Sequence, residues 1–75
     1  MSKRDPLLVS LGRNVGRIRE GKKFTQEKLA ERSNLHPTYI SDIERGTRNP
    51  GIKNVARIAK ALCVTTAELC KGVEA

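Results

Sequence analysis

The chain has 75 residues, which is enough for one domain, and its composition already restricts the class of protein. It contains 15 Lys and Arg residues against 8 Asp and Glu, a formal net charge of +7 at pH 7, and only one Tyr, one Phe and no Trp. A small basic domain suits the phosphate backbone of nucleic acid, although membranes and acidic partners attract the same charge. No stretch is long and apolar enough to cross a bilayer, and Leu7–Leu11 is too short for a signal-peptide core. We therefore expect a cytoplasmic protein that does not bind membranes.

Two cysteines and a single histidine offer little for metal or catalytic chemistry. Cys63 and Cys70 are far in sequence from His36, whereas a zinc site needs three or four ligands in closely spaced pairs. We expect both cysteines to act as small apolar side chains without a disulfide. The absence of a carboxylate pair at useful spacing and of a Gly-rich phosphate loop argues against an enzyme. No metal, cofactor or small-molecule effector is predicted.

The apolar spacing predicts one all-α domain of five helices, from residue 7 to residue 75, preceded by a flexible arm of residues 1–6. The first helix runs from about Leu7 to Glu20. Its apolar face consists of Leu8, Leu11, Val15 and Ile18. Gly12 and Gly16 lie inside this helix, where glycine is unfavourable, so we expect another helix to approach closely there.

The second and third helices are predicted to be joined by a very short turn. The second begins at Thr25, a good N-cap, and ends at Asn34, which tolerates the left-handed conformation common at helix C-termini. The third begins at Pro37, because proline fits the first helical position, and ends at Gly46. This arrangement is typical of a helix-turn-helix in a compact, repressor-like domain.

The residues after Gln26 support the helix-turn-helix. Ala30 lies where a small side chain lets the two helices cross closely, and Ile40 and Ile43 lie where aliphatic side chains fix the third helix. With about 3.6 residues per turn, the opposite face of the third helix is polar. It carries Thr38, Ser41, Asp42 and Arg45. Such side chains can contact base edges in a major groove, or they can form the solvated face of any amphipathic helix.

A fourth helix is expected from about Ile52 to Leu62, and a fifth begins at Thr65. The inward face of the fourth helix is predicted to hold Ile52, Val55, Ala59 and Leu62. Thr65 and Glu68 have the spacing of a capping box. The apolar residues near the C-terminus either cover the core or contact a second subunit: Leu62, Val64, Leu69, Cys70 and Val73.

Three segments together resemble the Cro and phage-repressor type of helix-turn-helix protein, the XRE family. They are Thr25–Ala30, Tyr39–Gly46 and Arg48–Pro50. The resemblance extends from about Leu11 to Leu69, and the stretch around the third helix is most similar to controller proteins of restriction–modification systems. It implies a transcriptional regulator that binds a pseudo-palindromic duplex as a homodimer, with the third helix in the major groove.

The resemblance also implies roles for individual residues. Gln26 would contact a phosphate and brace the third helix, and Arg19 and Glu44 would form a structural ion pair. The positions facing the groove or its phosphates would be His36, Pro37, Thr38, Tyr39, Asp42, Arg45, Arg48 and Asn49. Pro37 could contribute only apolar contact, for example with a thymine methyl group. The resemblance further implies a symmetric dimer through the fifth helix.

The chain departs from the family pattern where its helices end or begin. Lys23, Asn34 and Cys63 stand where the family often has Gly, and Gly51 replaces a usual Ser or Thr cap. Two alternatives to a regulator remain open at the level of sequence. The same fold could serve as a protein-interaction module, such as an antitoxin or a co-regulator, which a co-purifying partner would reveal. A basic helix lying on a membrane is the other, although its apolar faces lack aromatic anchors.

Overall fold

The computed structural model describes residues 5–74, and the regular structure in this range is entirely helical. The helices are α1 (Pro6–Gly21), α2 (Gln26–Ser33), α3 (Pro37–Glu44), α4 (Gly51–Ala61) and α5 (Thr66–Leu69). The predicted all-α class with five helices is therefore confirmed. The predicted arm extends too far, because the Asp5 side chain accepts a hydrogen bond from the Leu7 N–H at 2.9 Å and Pro6 begins α1. Residues 1–4 of that arm lie outside the described residues.

The core is built from aliphatic side chains of all five helices and lies where α1, α3 and α5 meet α2 and α4. Its buried members are Leu11, Val15, Leu29, Ala30, Ile40, Ile43, Val55, Ile58, Ala59, Ala61, Leu62 and Leu69. Each fully buried Leu or Ile stabilises the fold by about 1.5–3 kcal/mol. Helix α3 packs against both α1 and α2, so its position is fixed from two sides.

The predicted inward face of α4 is wrong at its first member. Ile52 is 72% exposed, whereas Val55 and Ala59 are buried as expected. Ile52 lies in the first turn of α4, one turn before Val55. Ile58, which lies outside the predicted face, is buried as well.

Three of the helices end in the same way, at residues with positive φ that are not glycine. These residues are Lys23 (65°), Asn34 (58°) and Cys63 (59°). The following residue donates its N–H to a carbonyl five positions earlier, at 2.9–3.1 Å: Phe24 to Arg19, Leu35 to Ala30 and Val64 to Ala59. This is the Schellman motif, and the donors also pack against the core, as the motif's hydrophobic contact requires. The family glycines at these positions thus correspond to left-handed backbone in this chain.

Two glycines allow α1 to approach the end of α3 closely. A Cβ at Gly12 would lie 2.7 Å from the carbonyl oxygen of Glu44, and a Cβ at Gly46 would lie 2.8 Å from the Cα of Val9. Gly46 also has a φ of 76°, which favours glycine. The close approach expected from glycine in the first helix is present, and it sets the distance between α1 and α3.

The expectation that both cysteines act as small apolar side chains fits Cys70 better than Cys63. Cys63 is exposed, because it occupies the left-handed turn after α4, and only Cys70 is half-buried; both are free thiols. In the range 5–74 no group of three or more His, Cys, Asp and Glu side chains could hold a metal ion. Across those same residues, no helix has the length and apolarity needed to span a membrane.

Candidate nucleic-acid interface

The turn between α2 and α3 leaves the first residues of α3 in solvent. Asn34 adopts the left-handed conformation, which lets Leu35 pack on the core before α3 begins. His36 is the N-cap of α3, and its Nδ1 accepts a hydrogen bond from the backbone N–H of Thr38 at 3.0 Å. His36, Pro37 and Thr38 are all exposed. The start of α3 is thus fixed in conformation and free to contact another molecule.

The rest of α3 is attached to the core by Ile40 and Ile43, which are 0% and 1% exposed. The opposite face therefore lies at the surface, as the sequence predicted. Thr38 and Arg45 are exposed on it, whereas Ser41 and Asp42 are half-buried. The half-burial arises from arginine side chains that fold over them.

Glu44, at the end of α3, is held by two residues from other parts of the chain. Its Oε2 accepts a hydrogen bond from Arg19 Nε at 2.6 Å, and its Oε1 accepts from Arg19 Nη2 at 3.1 Å. Gln26 Nε2, at the start of α2, donates to the same Oε1 at 3.1 Å. Arg19 Nη1 donates in addition to the Phe24 carbonyl at 2.7 Å. The ion pair implied by the resemblance is present, and Gln26 braces α3 through it.

This ion pair lies at the margin of the core. The side chains of Arg19 and Glu44 are only 13% and 11% exposed. The hydrogen bond to Glu44 raises the pKa of Arg19 above its usual value, against the lowering effect of burial. The guanidinium therefore stays charged, and the pair ties α1, α2 and α3 into one support.

Asp42 is the centre of a second ionic cluster, this one on the outer face of α3. Its Oδ1 accepts a hydrogen bond from Arg45 Nη2, and its Oδ2 accepts one from Arg48 Nη2 at 3.3 Å. Arg45 Nη1 also donates to Ser41 Oγ at 2.6 Å. The Asp42 side chain is 17% exposed, whereas the Arg45 and Arg48 side chains are 54% and 50% exposed. The carboxylate is covered and the two cations remain accessible.

The loop after α3 is held against Tyr39. The guanidinium carbon of Arg48 lies 5.0 Å from the Tyr39 ring centroid, a distance typical of a cation–π contact. The Tyr39 hydroxyl accepts a hydrogen bond from Asn54 Nδ2 at 3.0 Å and donates to the Pro50 carbonyl at 3.4 Å. Tyr39 thus links α3, the loop and α4, and it orients Arg48.

Asn49 has a local structural contact in addition to the role implied for it. Its Oδ1 accepts a hydrogen bond from the Gly51 N–H at 3.1 Å, at the start of α4. The φ of Gly51 is 72°, a conformation that Ser or Thr would adopt only with strain. This accounts for glycine at that position. Asn49 remains exposed.

Most of the residues assigned to the interface lie on one continuous surface. It is formed by the exposed start of α3, its polar face and the following loop: His36, Pro37, Thr38, Tyr39, Ser41, Asp42, Arg45, Arg48 and Asn49. Gln26 is half-buried beside Glu44. We refer to the nine residues of α3 and the loop as the α3 surface.

Sequence reasoning missed two asparagines that hold the domain together. Asn54 supports Tyr39 as described, and Asn14 Nδ2 donates to the carbonyls of Leu69 and Lys71, both at 2.9 Å. The available signal was the helical spacing. Asn14 follows Leu11 by three positions and precedes Ile18 by four, so it lies on the apolar face of α1, where a polar side chain needs a partner.

The residues assigned to a dimer interface divide into two groups. Leu62 and Leu69 are both 0% exposed, so their assignment to the interface is corrected: they are core residues that seal α4 and α5 together. Val64, Cys70 and Val73 are half-buried and pack at the edge of the core. Only these three retain surface that a second subunit could cover.

An open groove of about 400 Å³ separates the end of α2 from α4. It is lined by Arg32, Ser33, Asn34, Arg57, Lys60 and Ala61, so three cations and no carboxylate contribute to it. Arg32 is fixed there, since its Nε donates to the Ala61 carbonyl at 3.0 Å and its guanidinium lies 5.0 Å from the Phe24 ring centroid. The three cations make the surface of the groove positively charged.

Two helices joined by a left-handed turn, with the second presenting a polar face on a rigid support, define a helix-turn-helix domain. The family model described as "Helix-turn-helix" (HTH_3) matches residues 15–69, and the chain belongs to this family. Among curated relatives, it is 52% identical over 59 residues to the control protein C.BamHI of Bacillus amyloliquefaciens. The match covers 77% of this chain and 73% of that protein.

Solved structures give the same result. The restriction–modification controller protein C.AhdI from Aeromonas hydrophila matches with a TM-score of 0.81 and 37% identity, over 83% of this chain and 94% of that one. The controller protein C.Esp1396I, solved as a tetramer with its natural 35-base-pair operator, matches with a TM-score of 0.81 and 43% identity, covering 87% of this chain and 86% of that one. The resemblance to XRE-type and controller proteins identified from the sequence is confirmed.

Proposed function

We propose that the protein is a sequence-specific, double-stranded DNA-binding transcriptional regulator of the restriction–modification controller type. It acts in the cytoplasm as a homodimer on a pseudo-palindromic operator. The observation that carries this proposal is the α3 surface, in which an exposed helix start and two accessible arginines are mounted on a rigid ionic support. The operator complex of C.Esp1396I, a relative of similar fold, supports the same conclusion.

The geometry suggests how the two kinds of DNA contact divide between residues. Thr38 lies in the first turn of α3, the part of a recognition helix that enters the major groove, and its hydroxyl can bond to base edges. His36 and Pro37 flank it and can contact the same groove. Arg45 and Arg48 lie beyond, where guanidinium groups can bind phosphates or guanine. Base contacts then determine sequence, and phosphate contacts determine register.

The charge of the chain suits this function. The net charge of +7 supplies the sequence-independent part of the affinity by releasing counterions from the duplex. The hydrogen bond from Gln26 to Glu44 keeps α2 and α3 in a fixed relative position. Gln26 is also the first residue of α2, and the N-terminus of a helix favours binding of a phosphate group. The protein so described has no catalytic role and needs no cofactor.

Selection from a random duplex library at ~150 mM salt tests the proposal, because weak phosphate binding is suppressed at that ionic strength. We expect enrichment of a pseudo-palindrome whose half-sites lie ~10 base pairs apart, centre to centre. The selection is then repeated with Thr38→Ala, which should change the preferred base at one position in each half-site. Ser10→Ala, on α1, serves as the control for the loss of one hydroxyl group and should leave the selected sequence unchanged.

Two outcomes would contradict parts of this assignment. A folded wild-type protein that enriches no sequence would reject DNA regulation in favour of a protein-interaction module. An unchanged preference in Thr38→Ala, with the wild-type operator found, would remove Thr38 from the residues that read bases while leaving the proposed function intact.

A further inference from the structure

We propose that Asp42 is a positioning residue that sets DNA specificity by holding Arg45 and Arg48 on its carboxylate and so suppressing non-specific binding. This inference rests on the proposed function and deepens it. Sequence reasoning assigned Asp42 to the groove, where a carboxylate can accept a hydrogen bond from a cytosine amino group. The contacts of Asp42 favour a different role.

The first observation is that both carboxylate oxygens are already occupied. Oδ1 accepts from Arg45 and Oδ2 accepts from Arg48, and the side chain is 17% exposed. A carboxylate whose two oxygens already accept hydrogen bonds has little exposed surface with which to contact a base. Its two arginines, at 54% and 50% exposure, are the groups that reach solvent.

The second observation is that each arginine has another contact that fixes its direction. Arg45 also donates to Ser41 Oγ at 2.6 Å, and Arg48 lies over the Tyr39 ring. Tyr39 is itself held by Asn54 and the Pro50 carbonyl. The carboxylate is therefore the shared centre of a network that spans α3, the loop and α4.

The physical consequence is competition between Asp42 and phosphate. An arginine that moves to a phosphate must leave or share an internal carboxylate, so part of the gain from the phosphate contact is lost. On a duplex without matching bases, phosphate contacts supply nearly all of the affinity, so this cost reduces most of it. On the operator, the base contacts of Thr38 and its neighbours supply affinity that does not require Arg45 and Arg48 to leave Asp42. Asp42 thus lowers non-specific affinity more than operator affinity.

Asp42→Asn tests this role, because asparagine keeps the size of the side chain and removes its charge. Each phosphate contact contributes about 0.9 to the salt slope, which corresponds to about five-fold in affinity between 1 M and 0.15 M salt. At 0.15 M salt we expect the variant to bind a scrambled duplex about five-fold more tightly than wild type for each arginine released. The slope of log affinity against log salt concentration should be steeper by about 1–2. Operator affinity should rise less, so the specificity ratio falls.

Glu31→Gln is the matched control. It removes the same single charge and also breaks an ion pair, since Glu31 Oε1 lies 3.1 Å from Lys28 Nζ on the exposed face of α2. We expect it to change the salt slope by less than Asp42→Asn does. Circular dichroism melting of both variants verifies that the helices are intact.

A second background separates positioning from structure. In a chain that carries Arg45→Ala and Arg48→Ala, Asp42→Asn should change the salt slope by no more than Glu31→Gln does, because no arginine remains to be released. Three results would overturn the proposal: an Asp42→Asn slope equal to that of Glu31→Gln, a change that persists without the arginines, or an altered preference at one base pair with an unchanged slope. The last would make Asp42 a base reader.

Failure of this proposal is distinguishable from failure of the proposed function. The salt titration on scrambled duplex needs no operator, and the library selection with the wild-type protein tests sequence-specific binding independently. An operator found for the wild type together with an unaffected slope in Asp42→Asn rejects the positioning role alone.

Discussion

The Glu44 carboxylate accepts hydrogen bonds from Arg19 and Gln26 while only 11% of its side chain is exposed. Glu44→Ala leaves the Arg19 charge at the margin of the core without its main partner. We expect the free energy of unfolding to fall by about 3 kcal/mol, the lower end for a buried ion pair that loses one partner, because solvent reaches one side. Urea unfolding followed by circular dichroism measures this change.

Glu20→Ala is the control for the loss of a carboxylate near the same arginine. The Glu20 side chain is 74% exposed and lies 3.9 Å from Arg19, so its removal should change the free energy of unfolding by no more than about 0.5 kcal/mol. Equal effects of the two substitutions would contradict the structural role of Glu44.

The pH dependence of this stabilisation follows from the raised pKa of Arg19. The contribution of the charged guanidinium to the free energy of unfolding is fully present below the usual arginine pKa and is lost only above the raised value. The difference between Glu44→Ala and wild type should therefore not shrink as the pH rises from neutral into the mildly alkaline range.

The sequence predicted individual residues unequally, and the reason is the range of each contact. The pairing of Arg19 with Glu44 could be anticipated because both positions follow from helix faces and a family pattern. The attachment of Arg48 to Asp42 could not, because it depends on how the loop after Gly46 folds back over α3. A helical wheel places Asp42 outward and gives no information about that loop.

The left-handed residue after α1 is a lysine, although glycine adopts this conformation without steric cost. A non-glycine residue in this conformation lowers the free energy of unfolding by about 1–2 kcal/mol through steric strain. Glycine removes the strain but loses more chain entropy on folding, so the net gain from glycine is about half of that amount. We therefore expect Lys23→Gly, at φ 65°, to raise the free energy of unfolding by about 0.5–1 kcal/mol. Thermal and urea unfolding of the variant test this expectation.

The neighbouring lysine supplies a matched control. Lys22 has a φ of −86° and is the C-cap of α1, so Lys22→Gly should lower the free energy of unfolding by about 0.5–1 kcal/mol. Both substitutions remove one exposed lysine and add one glycine. A loss of stability in Lys23→Gly similar to that in Lys22→Gly would show that the left-handed backbone is not strained.

At the level of helices, the capping residues allowed the starts of two helices to be predicted from the sequence. Thr25 and Thr65 cap α2 and α5 as predicted, the latter in a capping box with Glu68. Helix α1 begins at Pro6, one residue before the predicted start at Leu7, because Asp5 caps it and proline fits its first position. Ile52 was misassigned because periodicity gives the face of a helix but not how far its neighbours extend along it.

At the scale of the whole domain, residues 5–74 expose few apolar groups to a second subunit. Leu62 and Leu69 are part of the core, so the symmetric dimer implied by the family has to use the less buried apolar residues near α5. Val64, Cys70 and Val73 form a small half-buried group at one end, and Ile52 is a separate exposed side chain at the start of α4. The sequence could identify apolar residues in this region, but it could not divide them between core and surface, because that division depends on how α5 packs.

The half-buried group is the better candidate for the dimer interface, since its three residues lie just before and just after α5 and pack against the core. We expect Val73→Asp to shift the protein towards monomer in sedimentation equilibrium, because a dimer would have to bury the new carboxylate without a partner. Its operator affinity should fall with it, since a monomer contacts one half-site of the pair. Ile52→Ser removes the exposed apolar side chain and should leave both quantities unchanged. The reverse result, a monomeric Ile52→Ser and a dimeric Val73→Asp, would place the interface at the start of α4, and melting curves of both variants exclude unfolding as the cause.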